Sequence, residues 1–198
     1  MQNICIPGQV IRLVGSIQSY REKPQLKVEA AYSMTQEDID LGLFCPVSIR
    51  NRTEMADELY ALILSVSNPF LKKLLAAFFK KGQWWERFQE APAAKAIHHA
   101  YVGGLLEHSL SVARIADFLA KHYAGVDRSL LLAGALLHDI GKLEELAMVG
   151  GVVDYTARGR LKGHLVIGSE MIALAAEKIR EFPEELLEQL QHLILSHH

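Results

Sequence analysis

The chain has 198 residues, of which 50% are hydrophobic and 22% charged, as in a globular domain with its own core. A formal net charge of −2 excludes a protein that coats nucleic acid by bulk positive charge, but it is compatible with a local basic groove. The sequence shows no signal peptide and no membrane-length apolar run, and Cys5 and Cys45 lack the spacing of a metal or disulfide motif. We therefore expect a cytoplasmic protein with reduced cysteines.

Residues 1–50 have the composition of a small β segment. The strings "GQVIRLVGSIQSY" and "QLKVEAAY" mix β-branched, aromatic and polar residues as strands do, and "REKP" between them is typical of a turn. A short helical turn is predicted within residues 35–48. Because two or three strands are only marginally stable on their own, they should pack against the following domain or belong to a larger β module.

The hydrophobic period changes near residue 51, and residues 51–198 are predicted to form an all-α domain. Thr53, with Glu54 and Asp57 in the first turn, is the predicted cap of its first helix. The predicted fold class is therefore mainly α, a bundle of about seven helices preceded by the small β segment.

Residues 127–147 are predicted to be the buried central helix of this domain, because they are apolar nearly all round. Asp127 or Ser129 would cap that helix. Residues 150–163 are predicted to be a loop with a small hairpin. The end of this loop, "RGRLKG", is basic and would steer a polyanion toward the residue that follows it, His164.

Five aromatic residues are predicted to lie in the core, although their rings also have the chemistry to stack on bases. They are Phe78, Phe79, Trp84, Trp85 and Phe88.

The string "ALLHDIGK", residues 135–142, places ionisable groups inside an apolar run. A buried charge costs a large desolvation free energy unless a partner compensates it. A bound cation would compensate the carboxylate of Asp139 and use the imidazole of His138 as a second ligand. We therefore expect metal ions at this string, with other ligands supplied from elsewhere in the chain.

The nine histidines all lie in the second half of the chain, and several are spaced about one helix and one loop apart. In a helical bundle this spacing lets successive helices direct one ligand each to a common centre. Imidazole nitrogen and carboxylate oxygen suit Mn²⁺, Fe²⁺, Co²⁺, Ni²⁺ and Zn²⁺, and the lack of thiolate in the set disfavours a structural zinc site. The candidate ligands are His108, His138, Asp139, His164, His197 and His198.

The order H…HD…H…HH, with "HDIGK" as its second element, resembles the HD-domain superfamily of metal-dependent phosphohydrolases. The strings "HHAYVGGLLEHSLSVA", "LLHDIGK", "KGHLVIG" and "LSHH" are more narrowly similar to the YhaM-type 3′–5′ exoribonucleases, in which an OB-fold precedes the HD domain. The resemblance implies that residues 1–50 are the last part of such an OB module and residues 51–198 the HD domain. It also implies an internal piece of a longer protein or a shortened one, since the final metal-binding aspartate of HD domains has no counterpart here.

Carried over onto this chain, the resemblance implies two divalent cations, with Mn²⁺ preferred and Fe²⁺, Co²⁺, Ni²⁺, Zn²⁺ or Mg²⁺ as alternatives. Asp139 would bridge the two ions and, with Lys142, act in catalysis, Lys142 by offering its ammonium to phosphate. Gly141 would leave room for the substrate backbone. The remaining ligands divide into His108 and His138 for the first ion, and His164, His197 and His198 for the second.

Two further residues are predicted to bind substrate. His99 precedes the His108 helix by about one loop, and Arg160 belongs to the basic stretch before His164. His98 is left without an assigned role, and His122 and His192 are expected to lie outside the site.

The predicted function is a metal-dependent phosphodiesterase, namely a 3′–5′ exoribonuclease that acts on single-stranded RNA or on DNA. An HD-type phosphohydrolase of nucleotides or cyclic dinucleotides would share the metals but enclose its substrate in a closed pocket. A di-iron oxygenase and a non-catalytic nucleic-acid-binding module are the alternatives from other classes. The expected partner is single-stranded nucleic acid, with no membrane partner and with a homo-oligomer left open.

Overall fold

The computed structural model describes residues 10–35, 43, 45–96, 99–149 and 152–198. The chain divides into two compact units, one made of Met1–Cys45 with Val149–Val152 and the other of Pro46–Met148 with Val153–His198. The short helical turn predicted within residues 35–48 falls largely outside the described residues. Cys5 and His98 also lie outside them.

Helices dominate the described part of the chain, which contains two antiparallel hairpins and eight helices, one of them a single turn. The predicted fold class, mainly α with about seven helices and a small β segment, is confirmed. The elements are β1 (Ile11–Tyr20), β2 (Lys23–Ser33), α1 (Arg52–Ser65), α2 (Pro69–Phe79), α3 (Gln83–Glu90), α4 (Gly104–His122), α5 (Arg128–Leu137), α6 (Lys142–Glu145), β3 (Leu146–Val149), β4 (Val152–Tyr155), α7 (Ala157–Ala176) and α8 (Glu184–Leu195).

The N-terminal strands β1 and β2 form one antiparallel hairpin, paired from Ile11 with Ser33 to Tyr20 with Lys23. The two connecting residues, Arg21 and Glu22, have φ angles of 50° and 63°. Two-residue turns with positive φ match the twist of the flanking strands, which is why they close hairpins. The predicted pair of strands with a turn at "REKP" is therefore confirmed.

Helix α5 is the buried centre of the helical unit. Leu132, Leu136 and Leu137 have no exposed surface, and α2, α4 and α8 pack against the helix. The side chain of Asp127 accepts a hydrogen bond from the backbone N–H of Leu130 and caps the helix. Ser129 is buried instead, and its Oγ accepts hydrogen bonds from the loop between α1 and α2.

The aromatic residues of α2 and α3 belong to the core, as predicted. The rings of Phe79 and Phe88 are 4.8 Å apart in an edge-on arrangement, and Trp85 packs against both. Phe78 and Phe79 are buried, and Trp84 is partly buried against the same core. These rings stabilise the packing of α2 on α3 and are not a platform for bases.

The central helix is shorter than predicted, because α5 ends at Leu137 and does not continue to residue 147. Residues 138–141 form tight turns in which the N–H of Ile140 donates to the carbonyl of Leu137 and that of Lys142 to Asp139. These i to i−3 bonds are of the 3₁₀ type and tighten the backbone. A single turn, α6, follows before the chain enters β3.

Two helix starts also differ from the predictions. The first helix is capped by Asn51, whose side chain accepts from the N–H groups of Thr53 and Glu54, and not by Thr53. Residues 158–162 of the basic stretch are helical and not a loop, and Thr156 caps their helix, α7, by accepting from the N–H of Gly159. The predicted small hairpin before it is present as β3 and β4.

In the described part of the chain, no helix combines the length and the apolar character needed to cross a bilayer.

Candidate metal centre

The tight turn after α5 places His138 and Asp139 at the middle of the helical unit. Both residues are buried, and Asp139 is only 1% exposed. The carboxylate of Asp139 therefore lies where an uncompensated charge would be costly. Its two oxygen atoms point toward two different groups of histidines.

The first group contains His108 from α4 and His138, and it meets the Oδ2 atom of Asp139. The Nε2 atoms of the two imidazoles are 3.1 Å apart. Each lies close to Oδ2, His108 at 3.3 Å and His138 at 3.2 Å. The ammonium of Lys142 donates a hydrogen bond to the same oxygen over 2.7 Å.

The second group contains His164 from α7 with His197 and His198, which follow α8, and it meets the Oδ1 atom of Asp139. His164 Nε2 lies 3.5 Å and His197 Nε2 3.7 Å from that oxygen. His198 joins the group through its Nε2 atom, which is 3.1 Å from that of His164. Within each group all candidate ligand atoms lie within 4.8 Å of one another.

The tautomers of three imidazoles are set by what their Nδ1 atoms contact. His138 Nδ1 is 2.8 Å from the carbonyl oxygen of Ala135, and His197 Nδ1 is 2.7 Å from that of Ile194. A carbonyl oxygen can only accept, so each Nδ1 must carry the proton and each neutral ring presents a lone pair at Nε2. His164 Nδ1 contacts the carboxylate of Glu145 at 3.1 Å, with the same consequence.

The lone pairs of these Nε2 atoms thus face the carboxylate of Asp139, and few N–H groups are available to donate hydrogen bonds between them. Among the described residues, Asp139 Oδ1 and His197 Nε2 are buried side-chain atoms without a hydrogen-bond partner. Buried polar atoms in native proteins are normally satisfied, so this pair needs an explanation. A divalent cation satisfies both at once, and the set of imidazole nitrogens with one carboxylate fits Mn²⁺, Fe²⁺, Co²⁺, Ni²⁺ or Zn²⁺ better than an all-oxygen Mg²⁺ site.

The electrostatics of the centre keep Asp139 ionised. Burial acts to raise the pKa of its carboxyl group, but the neighbouring imidazoles of His108, His138 and His197 outweigh burial and hold the pKa well below its ordinary value. The carboxylate in turn raises the pKa of His197. A carboxylate that stays charged at this depth is suited to bind cations.

Glu145 positions His164 and was not predicted to have a role. Its Oε1 atom accepts from the backbone N–H of His164 over 2.9 Å as well as contacting the ring. Helix α7 is interrupted at Gly163, which has φ 71° and ψ 160°, so the second part of the helix starts at His164. The Glu145 carboxylate therefore caps this new start and orients the imidazole, as carboxylates do for metal-binding histidines elsewhere. In the sequence nothing distinguishes Glu145 from its neighbour Glu144.

Packing requires a glycine at position 141, whatever room for substrate it also leaves. A Cβ atom on Gly141 would lie 2.1 Å from the carbonyl oxygen of His164 and 2.6 Å from the N atom of Gly168. The turn and helix α7 therefore touch backbone to backbone at this point. That contact brings His164 to Asp139.

The two predicted substrate-binding residues are in different surroundings. The ring of His99 lies 5.4 Å from that of His108, and its Nδ1 is 2.6 Å from the hydroxyl of Tyr101. Arg160 is largely exposed and pairs with Asp154 at 3.2 Å. Arg160 does not line either of the cavities described below, whereas Lys142 lines both. His122 and His192 are exposed and lie in neither ligand group, as expected.

Two cavities open beside the centre. The first, of about 560 Å³, runs from His108 and His138 between α4, α5 and α8 and has mostly apolar walls, such as Val112, Leu131 and Leu193. The second, of about 470 Å³, is lined by Lys142, His164 and His198 and by side chains of the β3–β4 region. Volumes of this size are typical of small-ligand sites.

Removal of the Glu145 carboxylate is expected to weaken metal binding. For Glu145→Ala we expect a 10- to 100-fold rise in the dissociation constant of Mn²⁺, roughly the cost of losing an outer partner of a ligand histidine. Isothermal titration calorimetry on metal-stripped protein measures this constant. Glu144→Ala is the matched control, because Glu144 is paired with Arg87 and contacts no ligand histidine. Equal affinities for the two variants would show that Glu145 does not support His164.

Comparison with known families gives the class of domain that this part of the chain is similar to. Residues 105–198, which carry both ligand groups, match the HD domain family. Residues 48–125 also match the TraI_2 family. The predicted resemblance to HD-domain proteins is confirmed.

Among individual proteins, the chain is similar to bacterial proteins named 3′-5′ exoribonuclease YhaM. Its identity is 38% over 196 residues to the protein of Oceanobacillus iheyensis, 38% over 192 residues to that of Listeria monocytogenes, and 36% over 194 residues to that of Bacillus subtilis. These alignments cover 98%, 96% and 97% of this chain but 60% of each relative, so the chain spans less than two thirds of their length. No solved structure matches the chain.

Proposed function

We propose that this chain carries the metal-dependent phosphodiesterase centre of a 3′–5′ exoribonuclease that acts on single-stranded RNA. The observation that carries the proposal is the division of ligands around Asp139. One buried carboxylate faces two groups of imidazoles, one through each oxygen, inside an HD domain. The YhaM relatives named as exoribonucleases support RNA as the substrate class.

Six residues would hold two divalent cations in this proposal. His108 and His138 would share the first ion with Asp139 Oδ2, and Asp139 Oδ1 would face the second ion, held by the remaining histidines, His164, His197 and His198. A pair of divalent cations activates water at neutral pH and neutralises charge on the phosphoryl oxygens of a diester. We propose Mn²⁺ as the ion, because it accepts both imidazole and carboxylate ligands.

The residues of the chain orient the substrate and the ligands. Lys142 lines both cavities, and its ammonium donates one hydrogen bond to Asp139. The same ammonium would donate a further hydrogen bond to a phosphate that approaches from either cavity. His99, next to His108, and Arg160 remain candidates for contacts with the strand. Asp139 stays ionised because the surrounding imidazoles lower its pKa, so it is ready to bind cations without first losing a proton.

The bacterial relatives are named exoribonucleases, and a bacterial exoribonuclease meets its RNA in the cytoplasm. We propose the cytoplasm as its location on that ground. Small nucleotides and cyclic dinucleotides are the competing substrates, because a cavity of about 560 Å³ is also large enough for one of them.

A single-stranded RNA labelled at its 5′ end tests the proposal. With Mn²⁺ we expect a ladder of products that shorten stepwise from the 3′ end, and release of mononucleotide first from a 3′-labelled RNA. The same protein should be inert with a chelator. Hydrolysis of mononucleotides or cyclic dinucleotides without shortening of the RNA would assign the site to small substrates, and no turnover with any divalent ion would make it a non-catalytic module.

A further inference from the structure

The second cavity has a wall that the proposed chemistry does not use. Besides Lys142, His164 and His198, which border the centre, it is lined by Lys95 and Tyr155. Lys95 lies in the segment between α3 and α4, and Tyr155 is the last residue of β4. Both side chains are about half exposed. A cation and an aromatic ring therefore line the second cavity, which is a cleft that ends at the metal centre.

The geometry of this pair suits one nucleotide. The ammonium of Lys95 lies over one face of the Tyr155 ring, 5.7 Å from its centre, so a base would stack on the other face while its phosphate pairs with Lys95. An aromatic face stacks on any base, and an ammonium pairs with phosphate without reading sequence.

The outer end of the cleft remains positive although Lys95 has an acidic neighbour, whereas Glu145, which also lines the cleft, lies at the inner end against His164. Asp154 Oδ1 lies 2.9 Å from Lys95, and the same carboxylate pairs with Arg160. One carboxylate shared by two cations leaves one unit of positive charge at the outer end of the cleft. That charge attracts a polyanion.

The described residues that line the first cavity include no such pair. Its walls away from the centre are apolar, and the one lysine among its lining residues is Lys142. At the 3′ end of a strand, the terminal nucleoside has no phosphate beyond the scissile one, whereas every nucleotide upstream carries its own. The cleft, which has the additional cation Lys95, is therefore suited to bind the part of the RNA upstream of the scissile phosphate.

We propose that Lys95 and Tyr155 form a subsite for the nucleotide upstream of the scissile phosphate of single-stranded RNA, with Tyr155 stacking on the base and Lys95 pairing with the phosphate. The subsite deepens the proposed function and rests on it for the position of the scissile phosphate. It makes the affinity for long RNA depend on residues that take no part in bond cleavage.

Fluorescence anisotropy with a labelled RNA decamer tests the subsite, in an Asp139→Asn background that prevents cleavage. We expect Tyr155→Ala to raise the dissociation constant roughly tenfold, the loss of one stacked base, and Tyr155→Phe to leave it nearly unchanged. Lys95→Ala should lower the slope of log affinity against log salt by about 0.7, the value of one phosphate contact in a single strand. Lys162→Ala is the control, because Lys162 pairs with Glu170 and lines neither cavity.

A second assay separates this inference from the proposed function. In the otherwise unchanged protein, Mn²⁺-dependent hydrolysis of bis(p-nitrophenyl) phosphate, which has no upstream nucleotide, should be the same with and without Lys95→Ala or Tyr155→Ala. Wild-type affinity for RNA in both variants would overturn the subsite even if the protein hydrolyses RNA. Failure of the wild type to hydrolyse either substrate would instead overturn the proposed phosphodiesterase activity. The RNA affinities and salt slopes of the variants would still decide whether Lys95 and Tyr155 bind RNA.

Discussion

Replacement of Asp139 by asparagine is expected to reduce the metal content from about two ions per chain to one or fewer and to abolish hydrolysis. Both oxygens of Asp139 face candidate ions, so an amide would turn N–H protons toward one of the two histidine groups and remove the negative charge from both. The loss of affinity should exceed the roughly 100-fold cost of removing an outer partner such as Glu145. Metal analysis by mass spectrometry and the RNA assay measure the two effects.

Asp117→Asn is the matched control for this substitution. Asp117 is partly buried on α4 and pairs with Lys121 and Arg128, away from the centre, so its loss should leave the metal content unchanged. If Asp139→Asn retained two ions per chain, the bridging role of Asp139 would be wrong.

Thermal unfolding distinguishes loss of a ligand from general damage to the fold. An ion that binds only the folded state stabilises it by about 4 kcal/mol at a concentration of roughly 1,000 times its dissociation constant. Addition of Mn²⁺ to metal-stripped wild-type protein should therefore raise the unfolding temperature. The Asp139→Asn variant should remain folded but respond little to the ion.

The second large effect is expected for Gly141→Ala. The new methyl group would meet the carbonyl of His164 at 2.1 Å, and backbone cannot move aside as a flexible side chain can. We expect a loss of about 1–3 kcal/mol in the free energy of unfolding, the usual cost of overpacking. Because α7 must shift away from the turn, His164 should also move from Asp139 and the second ion should bind more weakly.

Gly134→Ala on α5 is the control for Gly141→Ala. There the three atoms nearest to the added Cβ belong to the side chain of Leu193, with its Cδ1 atom at 2.8 Å, and alanine favours a helix by roughly 1 kcal/mol over glycine. Urea denaturation should show a change within about 1 kcal/mol for this variant. Equal stability and equal Mn²⁺ affinity for the two variants would contradict the proposed role of the contact between the turn and α7.

The residue chemistry of the site could be predicted from sequence. An imidazole and a carboxylate inside "ALLHDIGK" demand compensation, and their type already restricts the partners to metal ions or opposite charges. Helical periodicity and the distances between His108, His138 and His164 along the chain then predict that separate helices supply the ligands. The structure brings these residues together as that argument requires.

Some local features were predicted wrongly because several signals competed. Asn51 and Thr53 are both good helix caps, and the structure uses Asn51. Residues 158–163 contain two glycines, which argue for a loop, yet Gly159 lies in α7 because its missing Cβ lets the helix pack on the backbone of Glu145, where a Cβ would be 2.3 Å from the carbonyl oxygen. Tertiary contact outweighs local propensity there.

Sequence alone determined which residues are the candidate metal ligands and which kind of domain they resemble, because residue type and helical period are local properties of the chain. Only the tertiary structure decided which histidines each oxygen of Asp139 faces and why position 141 must be glycine. It also placed Glu145, Lys95 and Tyr155 around the cavity beside the centre. Those features depend on contacts between segments far apart in the chain, and no local pattern encodes the distance between two such atoms.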